Sequence, residues 1–180
     1  MSDLDTFRAR KDAFFRTDQQ SPLQPAQQAA FEGLRYYEER PDLEFELTPQ
    51  LVEEPERIEM ATSTGGFAVY QRWATVDFEV DGAAAELTVY RDVASWALFL
   101  PFQDANAGGE TYGAGRETYG AGRYLDVHEL EDGRLLVDFN YAYNPYCAYN
   151  DQWSCPIPPA ENRLSLAIRA GEMAFAIEGH

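Results

Sequence analysis

A chain of 180 residues with 45% hydrophobic and 14% aromatic content is long enough to bury one core, which argues against disorder and against metal or disulfide staples. Its 31 acidic and 14 basic residues leave a net charge of −17, a field that repels nucleic-acid phosphates and anionic membranes. No apolar run reaches the roughly 18–20 residues that span a bilayer, and the opening MSDLDTFRARKDAFF has no apolar leader core, so a cytoplasmic protein without nucleic-acid or membrane partners is expected.

Leu4, Phe7, Phe14 and Phe15 recur at near-helical spacing behind Ser2 and Asp5, an N-cap pair. That pattern predicts a helix over the first 16 or so residues. The helix carries Lys11, the chain's single lysine, and every other basic residue is arginine. Carboxylate excess joined to lysine scarcity points to a salt-rich cytoplasm, where screening shrinks to a few ångströms. SPLQP breaks the helix, and Pro25 opens a second one over PAQQAAFEGL that buries Phe31 and Leu34.

From Leu43 the period changes from 3.6 to 2. Leu43, Phe45 and Leu47 alternate with Glu44 and Glu46, and Val76, Phe78 and Val80 alternate with Asp77 and Glu79. Asp81-Gly82 supplies a hairpin turn into the partner strand AELTVYR. WALFLPF, an unbroken apolar run, reads as a strand buried on both faces. YLDVHEL, EDG and RLLVDF form another strand–turn–strand, with Leu125, Val127 and Leu130 facing Leu135 and Val137. LSLAI and MAFAI, either side of Ala170-Gly171, add the last strands. About eight short strands with few crossovers predict one mainly β domain over residues 1–180. Its helical part covers about 3–34, and an antiparallel β-barrel or strongly bent sheet covers about 42–178. A Greek-key sandwich satisfies the same pattern.

Between WALFLPF and YLDVHEL the chain reads ETYGAGRETYGAGRY, with Glu110–Arg116 repeated as Glu117–Arg123. Gly108, Gly109, Gly113, Gly115, Gly120 and Gly122 make this a loop. An insertion of odd length inside a half-buried strand would turn its inner face outward. In a glycine-rich loop it costs only on the order of 0.6 kcal/mol per doubling of length. One copy is therefore expected to be spare. Tyr119 and Arg123, adjoining the next strand, take the working position, while Glu110–Arg116 bulges outward.

DFNYAYNPYCAYNDQWSCPIPPAEN, residues 138–162, holds four tyrosines, four asparagines, both cysteines and Trp153, a density that neither a solvated loop nor a plain core strand needs. Flat rings and amides suit a lined concavity. They suit equally an irregular segment whose Asn side chains satisfy backbone groups that lack a ladder partner.

Several blocks carry a family likeness. FQDANAGGETYGAGR…YLD (allowing for the extra heptad), DFNYAYNPYCAY, CPIPPAENRL and IRAGE, with RKDAFFRTDQQSPL and FEGLRYY near the start, resemble the uncharacterised prokaryotic family called domain of unknown function 1684. The resemblance covers most of the chain and is most specific from Asp138 to Glu161. It implies a stand-alone, mostly β prokaryotic domain with no assigned activity. Members resembling this chain carry ETYGAGR once, so the duplicated heptad is a departure from the family pattern.

The soft ligands available to a metal are Cys147, Cys155, His128 and His180. The cysteines lie eight apart, outside short zinc-knuckle spacing, yet on one folded loop they can supply two of the four ligands zinc wants. A cytoplasmic setting argues against a structural disulfide, and no cofactor is expected. A cysteine nucleophile lacks a partner base, since Arg123 and Arg163 cannot serve as one. GAGRETYG lacks the preceding strand and following helix of a dinucleotide loop. Asp104, Asp138 and Glu161 are the candidate acid–base residues of a hydrolase- or isomerase-type enzyme. Structurally, Asp138 ends a strand, Asp104 caps a loop and Glu161 pairs with Arg123 or Arg163. The working reading is a small-molecule-binding module with Tyr119, Tyr143, Tyr149 and Trp153 as walls. Arg123, Asn140 and Asn144 would orient a small ligand bearing a carboxylate or phosphate. The other readings are the acid–base enzyme and a structural or interaction protein without a ligand site. Oligomeric state is not legible.

Overall fold

Ser2 and Asp5 close a capping box at the start of α1 (Asp3–Thr17): the Ser2 hydroxyl accepts from the Asp5 amide, and the Asp5 carboxylate accepts from the Ser2 amide. The structure, a computed structural model, describes residues 2–108 and 117–175. α1 buries Leu4 and Phe15, as its spacing predicts. α2 (Pro25–Ala29) is shorter than expected. The Leu34 amide donates to Asp12 of α1 at 3.0 Å, and Gly33 takes a φ of +144° beside the same carboxylate. Docking onto α1 thus outweighs the small gain of extending a marginal helix. Phe31 still reaches a buried cluster with Phe15, Leu23 and Tyr149, and Leu34 packs against it.

Among the described residues nine strands follow, all antiparallel: β1 (Glu44–Leu47), β2 (Gln50–Leu51), β3 (Arg57–Ala61), β4 (Phe67–Val80), β5 (Ala83–Asp92), β6 (Leu98–Phe102), β7 (Arg123–Asp126), β8 (His128–Glu129) and β9 (Leu135–Asp138). One sheet has the order β2-β4-β5-β6-β7, with β3 also on β4; the other is β1-β9-β8. Asp81 and Gly82, with φ of 50° and 82°, turn β4 into β5 as their sequence predicts. A register shift between Arg72 and Ala74 bends β4, so that β2 pairs with its second half and β3 with its first. YLDVHEL divides at Val127: its first part joins the large sheet and its second the small one. Neither sheet's outermost strands pair with each other, so among the described residues the architecture is two open, bent sheets and not a closed barrel. Val76, Phe78, Leu87, Leu100, Leu125, Leu135 and Phe139 fill the core they share.

LSLAI does not form the expected strand, nor do residues 173–175 of MAFAI; the rest of MAFAI lies outside the described residues. Backbone bonds from Leu164 to Gln103 at 2.7 Å and from Ala105 to Leu166 at 2.9 Å leave a partial ladder that side chains complete. Asp104 accepts from the Ile168 amide at 2.8 Å, and Arg123 donates to the carbonyls of Ile168, Ala170 and Glu172. Asn162 bonds the Thr88 amide and carbonyl and the Pro101 carbonyl. Every one of these backbone groups would otherwise be buried without a partner. At Gly171, with φ of +75°, a Cβ would fall 2.5 Å from the Ala142 oxygen, so only glycine fits the close approach.

Candidate functional site

Arg123 begins β7 and is 1% exposed. Its three carbonyl acceptors and Asp104 at 3.6 Å engage the two terminal nitrogens of the guanidinium, which lies 5.2 Å from the Phe102 ring centre. Burial works against its charge, and Asp104 is the largest compensating influence. Expected to orient a ligand, Arg123 instead holds the C-terminal run against the sheet. Asp104 is committed likewise, to the Thr118 hydroxyl at 2.9 Å and the Ile168 amide.

The asparagines brace backbone. Asn140 accepts from the Arg40 amide and donates to the Arg40 carbonyl, both at 2.8 Å. Asn144 donates to the Met173 carbonyl at 2.9 Å. Tyr149, fully buried, donates to Glu172 at 2.7 Å. Glu161 pairs with neither Arg123 nor Arg163 but with Arg72 at 2.7 Å, and it accepts from the Tyr90 hydroxyl at 2.7 Å. Burial pushes its carboxyl up, yet Arg72, its own backbone amide and Tyr90 together hold it below the usual value. Trp153 is 41% exposed and meets Tyr146 edge to face. Where a pocket was expected between the 138–162 and 106–123 segments, Tyr124, Cys147 and Cys155 pack with Phe99, Tyr119 and Tyr143.

The cleft lies elsewhere. A concavity of about 690 Å³ opens between α1 and the segment running from β7 to Tyr146. Phe7, Phe14 and Phe15 form its helical wall, facing Tyr141, Tyr143 and Tyr146, with Leu125 and Leu136 beneath. Arg10 and Lys11 bring positive charge from α1, while Asp126, His128 and Asp138 come from the strands. Tyr143 and Asp138 are thus the predicted ligand-binding and acid–base residues that the fold does bring to the cleft. Burial, and next the Asp126 carboxylate that accepts its hydroxyl at 2.9 Å, raise the Tyr143 phenol well above the usual range, so it acts as a neutral donor. Asp138 already accepts from the Asn140 amide and side chain.

Sequence reasoning missed the helical side of the cleft, Phe7, Arg10, Lys11 and Phe14, of which Lys11 is the most firmly placed. Its ammonium lies 4.9 Å from the Tyr143 ring centre and pairs with Glu172, which is 1% exposed. The other Glu172 oxygen accepts from Tyr149 and from the Asn144 amide at 2.8 Å. The available signals were the isolation of Lys11 as the sole lysine and the presence of Glu172 in the IRAGE block.

The second heptad copy is built into the fold. Thr118 is buried on Asp104, Glu117 accepts from Tyr37 at 2.9 Å, and a Cβ at Gly122 would fall 2.6 Å from the Phe102 oxygen. The first copy lies outside the described residues, as does His180. Cys147 and Cys155 are free thiols, and among the described residues no group of three or more His, Cys, Asp or Glu could hold a metal.

These features define a mainly β protein of two open antiparallel sheets with an α-helical wall over one cleft. The family model described as "Protein of unknown function (DUF1684)" matches residues 29–173, and the chain belongs to that family. Among solved structures, the solution NMR structure of an uncharacterized protein from Haloarcula marismortui is similar, at 38% identity and a TM-score of 0.69. The match covers 94% of this chain and 91% of that one. No functionally curated protein matches the chain. No helix among the described residues is long and apolar enough to cross a membrane.

Proposed function

We propose that the chain is a small-molecule-binding module whose site is the cleft between α1 and the segment running from β7 to Tyr146. The observation that carries this reading is the cleft itself: about 690 Å³, walled by rings from two elements, with cationic groups on one side. That volume suits a compact metabolite, and facing aromatic walls favour a planar apolar body. Arg10 and Lys11 supply donors for a carboxylate or phosphate. Lys11 keeps donors to spare, because Glu172 engages it through a single oxygen. Arg123 and Asn144 support this site from behind by bonding the Glu172 and Met173 carbonyls, and Tyr149 bonds the Glu172 carboxylate itself. The strongly acidic, lysine-poor composition supports a salt-rich cytoplasm as the setting.

Isothermal titration with a panel of aromatic carboxylates, indole-3-carboxylate among them, tests the reading. Saturable one-site binding is expected for at least one member. Phe7→Ser and Arg10→Glu, both on the accessible side of α1, should each weaken it by about tenfold, or ~1.4 kcal/mol. Absence of saturable binding at millimolar concentration, or affinity that neither variant changes, overturns it.

A further inference from the structure

The two cysteines lie outside the cleft and form a centre of their own. A tight turn at Tyr146–Ala148, followed by the Trp153 amide donating to the Asn150 carbonyl at 3.2 Å, folds the intervening chain back on itself. The Cys155 sulfur comes to rest 3.3 Å from the Cys147 amide. Both thiols are free, at 8% and 7% exposure. The strand side is anchored: the Cys155 amide donates to the Ser63 hydroxyl at 3.1 Å, and its carbonyl accepts from the Ser63 amide at 2.9 Å. Tyr119, from the built-in heptad copy, donates its hydroxyl to the Cys147 sulfur at 3.7 Å. A pair placed only for packing would need neither a donor aimed at one sulfur nor this fixed approach.

We propose that Cys147 and Cys155 are a redox modification site, at which a peroxide-class oxidant converts the two thiols reversibly into an intramolecular disulfide. The Cys147 thiolate attacks one peroxide oxygen, the O–O bond breaks, and the departing hydroxide takes up a proton as water. Cys147 then carries a sulfenic acid. The Cys155 sulfur attacks the Cys147 sulfur, the S–O bond breaks, and hydroxide leaves with the Cys155 proton as a second water. Two thiols lose two electrons, and hydrogen peroxide becomes two waters. A dithiol reductant reverses the change by exchange.

The roles follow from the surroundings. Hydrogen bonding from the Cys155 thiol, the largest influence, lowers the Cys147 thiol to about 6 against the opposing effect of burial, with Tyr119 and Ser63 adding to the lowering. The same interaction, joined by burial, pushes Cys155 up. Cys147 is therefore the attacking sulfur and Cys155 the resolving one.

The test uses the full chain, reduced and then exposed to hydrogen peroxide at pH 7. No Arg or Lys separates the cysteines, so both fall on one tryptic peptide, residues 135–163. Loss of both titratable thiols is expected, with that peptide lighter by two hydrogens and dithiothreitol restoring it. Cys155→Ser should retain a sulfenic acid that dimedone captures at Cys147. Cys147→Ser should react at least about tenfold more slowly than the parent, since burial still disfavours ionisation of its remaining thiol. Persistent thiols in the parent protein, disulfides formed between chains, or equal dimedone capture in the two variants would overturn the proposal. The reading on the parent chain stands whether or not the variants fold.

Discussion

Arg123→Met keeps an apolar stem of similar length and removes a guanidinium that serves three carbonyls and faces Asp104. A hydrogen bond to a charged group contributes about 1.5–3 kcal/mol net, and breaking a buried ion pair costs about 3–5 kcal/mol. These figures overlap, because they describe one guanidinium seen through different partners. Asp104 also retains its Thr118 and Ile168 donors, which limits the damage to that carboxylate. A loss of about 4 kcal/mol is expected, leaving a protein that still folds if its stability is in the usual range. With a urea slope of about 2 kcal/mol/M, the unfolding midpoint should fall by roughly 2 M. Equilibrium urea unfolding followed by fluorescence measures this directly. Adding Asp104→Asn should cost about 1 kcal/mol less in the double variant than the two single losses combined, since the buried carboxylate is then neutral. A midpoint shift under about 0.5 M would refute the assignment of Arg123 as the clamp on residues 168–172.

Two further outcomes follow from the same structure. Deleting Glu110–Arg116 should leave stability within about 1 kcal/mol of the parent by thermal unfolding, because the retained copy supplies Glu117, Thr118, Gly122 and Arg123; a larger loss means that both copies are structural. The −17 net charge should make the melting temperature climb steeply from dilute buffer to molar potassium chloride, and a flat response removes the salt-adaptation reading.

How far the fold and the site could be read in advance depended on the range of the interactions involved. The capping box of α1 and the Asp81-Gly82 hairpin are local, so neighbouring residues suffice to specify them. The alternation of Val76, Phe78 and Val80 likewise reports its buried face directly. LSLAI carries the same kind of pattern and yet forms no strand: Leu164 and Leu166 bond the Gln103 and Ala105 backbone, while Asp104 and Arg123, distant in the chain, take the Ile168 amide and carbonyl. Asn140, Asn144 and Tyr149 stand out by composition, but composition cannot distinguish a polar side chain that meets a ligand from one that braces the fold.

The cleft makes the same point for function. Tyr143 and Asp138 stand in a segment whose aromatic density is visible in the chain, whereas the opposing wall comes from Phe7, Phe14 and Phe15, more than a hundred residues earlier. The Lys11–Glu172 pair joins the two termini in the same way. The capping box of α1, the Asp81-Gly82 hairpin and the alternating strands were settled by short-range chemistry that the linear order of residues displays. Which aromatic rings enclose space and which fill it was settled by long-range packing, because a ring's neighbours depend on where separate segments meet.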